Sequence, residues 1–136
     1  MKSHTKGNIV VLVPLIGIIV FVILYVLATW FYPGGSSVDT TTVGFNWKNN
    51  YWGDLVSYTA KKGTVNPARP IALIALVTLC STLAVFWFYV SRLFIENNFN
   101  LVVRYSGISS MSVTIFLFAG YHDAVINVAG FLGIIA

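Results

Sequence analysis

Three side chains in this 136-residue sequence have the types that acid–base or metal chemistry requires: Asp54, His122 and Asp123. Two carboxylates and an imidazole can bind a divalent cation, and the same groups can transfer a proton. We therefore take them as candidate catalytic residues and as candidate ligands of a divalent metal. The pattern is a weak one, because the sequence has no HExxH motif, no Cys/His cluster and no Gly-x-Ser-x-Gly motif.

His122 and Asp123 allow two interpretations. Ionisable groups at membrane depth are costly and usually face a cavity or a partner, which favours a site. If Gly120 begins a tight turn, both side chains simply lie in water. Adjacent residues do not share one face of a helix, so the two act as a pair only on a bent backbone.

Amide and aromatic side chains surround Asp54 in the stretch GFNWKNNYWGDLVSY. Asn49 and Asn50, together with Arg69 further along the chain, are candidate binding residues. The asparagines are also typical turn or capping residues. Asp54 can equally form an ion pair with Lys61 or Arg69, which would stabilise the protein little at an exposed site.

The composition is that of a membrane protein. Hydrophobic residues make up 57% of the chain and charged residues 9%, whereas soluble domains carry about 25% charged residues. The net charge of +4 comes from scattered lysines and arginines, which argues against nucleic acid as a partner and for the anionic headgroups of a bilayer.

Two uncharged apolar runs, residues 9–32 and 71–91, are long enough to cross a membrane, since a spanning helix needs about 20 residues. We predict a third helix over 105–119 and a fourth over 124–136. The fold class is thus all-α, a single-domain membrane helix bundle with three full transmembrane helices and a partial fourth. The short last run indicates an N-terminal portion or truncated form of a longer protein, and a re-entrant or tilted segment is the alternative.

The distribution of basic residues predicts a cytoplasmic N-terminus. Lys2 and Lys6 precede the first helix, and no Lys or Arg lies within the fifteen residues after Tyr32. The basic residues around the second helix argue weakly for the opposite orientation. With the N-terminus inside, the first connection and the end of the third helix emerge on the same outer face, which can bring Asp54 close to His122.

The first connection has a partial helical pattern. Tyr51, Leu55 and Tyr58 recur at i, i+4 and i+7, which predicts a short helix lying in the headgroup layer. Its rings would lie at the acyl boundary, where amphipathic aromatics concentrate. Asn50 and Asp54 would face away from that boundary.

The stretch GFNWKNNYWGDL, followed by NPARP before a helix and by a histidine near the start of a later helix, resembles a family of uncharacterised multi-pass membrane proteins of Bacteroidetes. More loosely, the chain resembles a domain-of-unknown-function family with a Phe-x-x-x-x-Asn-Tyr-x-x-x-Leu box after its first helix, matched here by Phe45, Asn50, Tyr51 and Leu55. The likeness covers essentially the whole chain. It implies a bacterial cytoplasmic membrane and about six helices, and no established activity. The broader family often has a serine where this chain has Gly53.

Three functions stay open. The first is a multi-pass integral membrane protein whose outer-face polar and aromatic cluster binds a lipid headgroup, a membrane-protein partner or a second copy of the chain. The second is a membrane-embedded enzyme that processes a lipid or headgroup with Asp54, His122 and Asp123. The third is a transporter subunit, which the uncharged interiors of the first two helices disfavour, since transport pathways usually carry ionisable residues.

The shared outer face is testable by labelling intact cells with a membrane-impermeant thiol reagent. In a C80A background, S57C, close to Asp54, and Y121C, next to His122, should both react before lysis. Labelling of one site with protection of the other until lysis would contradict the predicted topology.

Overall fold

The computed structural model describes residues 4–94, 99–116 and 122–136, and within them the side chains of residues 12–91, 99–116 and 123–136. The described part of the chain is all-α, as predicted. Its four helices are α1 (His4–Phe31), α2 (Arg69–Phe94), α3 (Phe99–Thr114) and α4 (His122–Ile135). One 3-10 turn, Trp52–Leu55, lies in the connection between α1 and α2.

Helices α1 and α2 are long and apolar enough to cross a membrane. Their apolar segments are Leu12–Phe31, with 20 residues, and Arg69–Ser91, with 23 residues. A core helix of a soluble protein would bury most of its side chains, but only 22% of the most apolar part of each segment is buried. The exposed side chains are large and aliphatic, as lipid contact requires. These two helices support the assignment to a membrane.

The start predicted for the third helix is wrong, and the last part of its predicted range, residues 117–119, lies outside the described residues. Helix α3 covers Phe99–Thr114 and begins six residues before the predicted start at Tyr105. The prediction placed the boundary after the charged Arg104, but this side chain is accommodated inside the helix and donates a hydrogen bond to Asn100 one turn earlier. With 16 residues, α3 is shorter than the roughly 20 that a full span needs, so a third full span is not confirmed.

The other helix boundaries lie close to their predicted positions. Helix α1 begins at His4 rather than at residue 9. Helix α2 extends the predicted 71–91 by two residues at its start and three at its end. Helix α4 covers His122–Ile135.

The chain folds as two compact units, Phe21–Leu76 and a unit formed by Met1–Val20 with Val77–Ala136. Small residues dominate the contacts of helices in the first unit. Ala28 of α1 and Ala72 and Ala75 of α2 are completely buried, which lets the helix backbones approach closely. Leu55 from the connection is also buried in this core.

The second unit uses glycine and serine in the same way. A Cβ added at Gly17 of α1 would collide with the Thr82 side chain of α2, and one added at Gly107 of α3 would collide with the Trp87 indole of α2. The Ser110 hydroxyl of α3 donates a hydrogen bond to a backbone carbonyl of α4, at 2.7 Å. Close helix packing of this kind is typical of membrane bundles.

The close approach at Gly107 makes G107A destabilising. The added methyl group forces the Trp87 ring to move, and overpacking of this kind costs about 1–3 kcal/mol. G130A is the matched control, because a Cβ there meets no atom within 4 Å and alanine is the better helix former. Unfolding in detergent micelles should show G107A to be less stable than G130A, and equal stabilities would contradict the packing.

Candidate functional site

The connection between α1 and α2, residues 32–68, consists mainly of loops and turns rather than of helices and strands. Two isolated antiparallel bridges pair Gly34 with Val43 and Thr59 with Val65. The helix predicted from the spacing of Tyr51, Leu55 and Tyr58 is reduced to one 3-10 turn that ends at Leu55. The pattern of side chains was compatible with a helix, but the carbonyls of this stretch bind a distant side chain instead.

That side chain is Asn66. Its amide nitrogen Nδ2 donates hydrogen bonds to the carbonyls of Asp54 at 3.1 Å, Leu55 at 3.0 Å and Ser57 at 3.0 Å. Its Oδ1 accepts the N–H of Ala68 at 3.1 Å, just before α2 begins. Asn66, only 2% exposed, therefore joins the 3-10 turn to the start of α2.

Asn50 and Asp54 form a second polar centre. The Asn50 amide Nδ2 donates to Asp54 Oδ2 at 3.0 Å and to the Gly35 carbonyl at 2.8 Å. Asn50 Oδ1 accepts the Asn46 N–H at 2.9 Å, and Asp54 Oδ2 accepts the Tyr51 N–H at 2.9 Å. Both side chains are buried, so this pair holds together three separate stretches of the connection.

Gly35 is required by this arrangement. Its φ of +81° lies in the left-handed region, which favours glycine. A Cβ at this position would also collide with the backbone of Lys61 and Lys62. A larger residue would displace the carbonyl that Asn50 binds.

Two basic residues, Lys61 of the connection and Arg69 at the start of α2, contact the segment that contains the 3-10 turn and the residues after it. Lys61 Nζ lies 3.6 Å from Asp54 Oδ1, and 45% of the lysine side chain is exposed, so the ion pair stabilises the fold little. Arg69 Nε donates to the Val56 carbonyl at 3.1 Å, and its guanidinium lies 5.7 Å from the centre of the Tyr58 ring. Of the two partners predicted for Asp54, Lys61 forms the ion pair.

Asp39 organises the first loop of the connection. Its carboxylate accepts hydrogen bonds from the Thr41 hydroxyl at 2.7 Å and the Thr41 N–H at 2.8 Å. These bonds to the charged form lower the pKa of Asp39 below its usual value. Because the group is fully exposed, we treat it as a loop residue.

An apolar groove lies between the connection and the last three turns of α1. Its volume is about 170 Å³. The Trp52 ring stacks on Tyr25 of α1 with centroids 5.1 Å apart, and Phe45 and Trp47 meet edge to face at 5.3 Å. The lining residues are Val22, Tyr25, Val26, Thr29, Phe45, Trp47, Trp52 and Leu55.

Several aromatic rings of the connection are exposed, whereas the polar centre is buried. Trp47 is 61% exposed, Tyr51 70% and Tyr58 66%, while Asn50 is 8% and Asp54 6% exposed. A water-soluble loop usually has the reverse distribution. The arrangement can bind an apolar chain or a ring, and its buried amides serve the fold.

The structure brings some of the predicted site residues together. Asn50 and Asp54 are hydrogen-bonded to each other, and Arg69 donates to the carbonyl of Val56, the residue that follows the 3-10 turn. Asn49 contributes its backbone N–H, which donates to Asn46.

His122 and Asp123 belong to the other unit and begin α4. The His122 side chain is outside the described residues. Among the side chains that are described, no group of three or more His, Cys, Asp and Glu could hold a metal ion. The catalytic and metal-binding roles of Asp54, His122 and Asp123 stay predictions.

Sequence reasoning did not identify two important groups. The Tyr32 hydroxyl accepts the Lys61 N–H at 3.0 Å, across 29 residues of chain, and no local pattern signals such a contact. Asn66 precedes Pro67 and was detectable as a capping residue. Its three hydrogen bonds to the carbonyls of residues 54–57 could not be detected from the sequence.

Comparison with known proteins adds no assignment: no protein-family model matches the chain, and no curated protein or solved structure matches it either. The family resemblance noted in the sequence stays a prediction. Functional inference therefore depends on the geometry of the groove and its surroundings.

N66A should destabilise the connection because it removes the amide group whose two N–H donors serve three carbonyls. Loss of these bonds should cost about 2–3 kcal/mol of unfolding free energy in detergent. N49A provides the matched control, because the described hydrogen bonds at Asn49 come from its backbone N–H. If N49A and N66A unfold at the same temperature, Asn66 does not hold the connection.

Proposed function

We propose that this protein is a multi-pass integral membrane protein of a bacterial cytoplasmic membrane whose first connection binds a membrane lipid. One acyl chain of the lipid occupies the apolar groove. The N-terminus is cytoplasmic, so the groove lies at the outer surface. The observation that supports this proposal is an apolar groove lined by the exposed Trp47 and Trp52, in a connection whose amide and carboxylate centre, Asn50 and Asp54, is buried.

The depth of the groove favours an acyl chain as its occupant. Val22, Tyr25, Val26 and Thr29 line one side of it and belong to the apolar segment Leu12–Phe31. If this segment crosses the membrane, the groove begins in the hydrocarbon and ends at the headgroup layer. Trp and Tyr side chains concentrate at that boundary, because their rings are apolar and their N–H or O–H groups are polar.

The charge of the connection favours an anionic headgroup. Between residues 32 and 69 there are four basic and two acidic side chains, and Lys61 partly neutralises Asp54. Lys48 and Lys62 are both exposed. Basic residues near a bilayer surface attract anionic lipids by about 1 kcal/mol each.

A phospholipid with a photoactivatable group on its acyl chain tests this proposal in nanodiscs. After irradiation, cross-links should concentrate on the tryptic peptide 49–61, which contains Trp52, and on groove positions of α1. V26W fills the groove and should reduce the cross-linking of peptide 49–61 about tenfold, equivalent to 1.4 kcal/mol of binding.

V20W is the matched control, because Val20 is also exposed on α1 but does not line the groove. It should leave the cross-linking of peptide 49–61 unchanged. Cross-links spread evenly over α1 and α2, with no effect of V26W, would show that the groove holds no lipid.

A further inference from the structure

Arg104 is an unusual residue in α3, because it is the one charged residue of this 16-residue helix. It is flanked by apolar and small residues, among them Val103, Tyr105 and Gly107. A guanidinium in such a helix must find hydrogen-bond acceptors, since burying a charge without partners costs several kcal/mol.

The contacts of Arg104 satisfy the guanidinium only in part. Nη2 donates to Asn100 Oδ1 at 3.3 Å, and the guanidinium carbon lies 5.0 Å from the centre of the Phe88 ring of α2. Nε is buried and has no hydrogen-bond acceptor among the residues that the structure describes. A guanidinium has five N–H donors in a planar fork, so the described contacts leave a buried donor of a cation unmatched.

The direction of the side chain places the guanidinium near the end of the helix pair. Helical side chains tilt toward the N-terminus of their helix, and the bond from Arg104 to Asn100 follows this direction. Arg104 is five residues from the start of α3, and Phe88 is six residues from the end of α2. At 1.5 Å per residue, both lie within about 10 Å of the helix ends.

Helix α2 can cross the membrane, so its end at Phe94 lies close to one membrane surface. Long basic side chains within an apolar segment reach toward the headgroups in this way. The guanidinium of Arg104 is therefore within reach of the phosphate layer, while its aliphatic stem stays among apolar side chains.

The described acidic residues do not supply the missing acceptor. Asp39 accepts from Thr41, Asp54 accepts from Asn50, and Asp123 begins α4. Ser110 of α3 binds the Ala129 carbonyl of α4, so the start of α4 lies toward the C-terminal end of α3. Arg104 lies toward the opposite end.

We propose that Arg104, assisted by Asn100, binds the phosphate group of an anionic phospholipid. Phosphate oxygens match the guanidinium fork in a bidentate geometry, and such charge-assisted bonds are about twice as strong as neutral ones. This site is in a different unit from the groove and is independent of it. The lipid, rather than free phosphate, is the ligand because the guanidinium emerges among apolar side chains.

The experiment measures lipid retention by the full-length chain with native mass spectrometry from detergent. Phosphatidylglycerol and phosphatidylcholine of equal chain length are supplied in equal amounts. The wild type should retain phosphatidylglycerol preferentially. R104Q should weaken this retention about tenfold, and R104K, which keeps the charge but loses the fork, should weaken it less.

Two control variants make the result specific. K62Q removes one positive charge from an exposed position of the first connection; in the V26W background, where the groove is filled, it should leave retention unchanged. V26W fills the groove and removes any lipid bound there, so R104Q and R104K are also measured in the V26W background. A loss of phosphatidylglycerol beyond that of V26W alone then comes from the Arg104 site, and a difference between V26W and the wild type reports the groove. In the V26W background, equal retention with and without R104Q, or an equal loss with K62Q, would overturn the proposal.

Inorganic phosphate distinguishes the two sources of the ligand. It should neither displace phosphatidylglycerol nor raise the melting temperature of the lipid-free wild type at millimolar concentration. Suppose that inorganic phosphate displaces the lipid or raises the melting temperature in the wild type and in K62Q, but not in R104K. Arg104 then binds free phosphate, and the assignment to a lipid is wrong. If R104Q does not fold, as judged by gel filtration, R104K decides: its retention in the V26W background must fall below that of K62Q.

Discussion

Every buried backbone carbonyl needs a hydrogen-bond donor, and the first connection meets this constraint with asparagine side chains. Regular strands would supply the donors from neighbouring backbone. Here Asn66 supplies them to three carbonyls and Asn50 to a fourth. One amide carries two donors and an acceptor, so two residues are enough to hold the 3-10 turn, the first loop and the start of α2 together.

This internal use of polar groups leaves aromatic side chains on the surface of the connection. Trp47, Tyr51 and Tyr58 are mostly exposed, and Trp52 stacks on Tyr25 beside the groove. In water, a patch of this kind would favour association. At a membrane boundary the same rings are favourable, because their apolar faces contact acyl chains while their polar edges reach water.

Arg104 presents the opposite case, in which a donor rather than a carbonyl needs a hydrogen-bond partner. The donors of Asn66 all find acceptors inside the fold, so this residue acts as structure. Within the described part of the chain, the Nε of Arg104 is buried without an acceptor, although the guanidinium lies over Phe88 and bonds Asn100. The proposed lipid phosphate would supply acceptors to this guanidinium, whereas the satisfied network of Asn66 indicates a role in stability.

The sequence by itself determined the two long apolar helices and the all-α class, because the thickness of the hydrocarbon sets the length of an uncharged run. It also identified Asn50 as a turn or capping residue and Asp54 as the partner of a basic residue from their types. It misplaced the start of α3, because a charged residue was taken as a boundary and its partner Asn100 was not considered. Only the tertiary structure decided that the asparagines turn inward and the rings outward, since the acceptors of Asn66 lie nine to twelve residues away and reach it only when the chain folds.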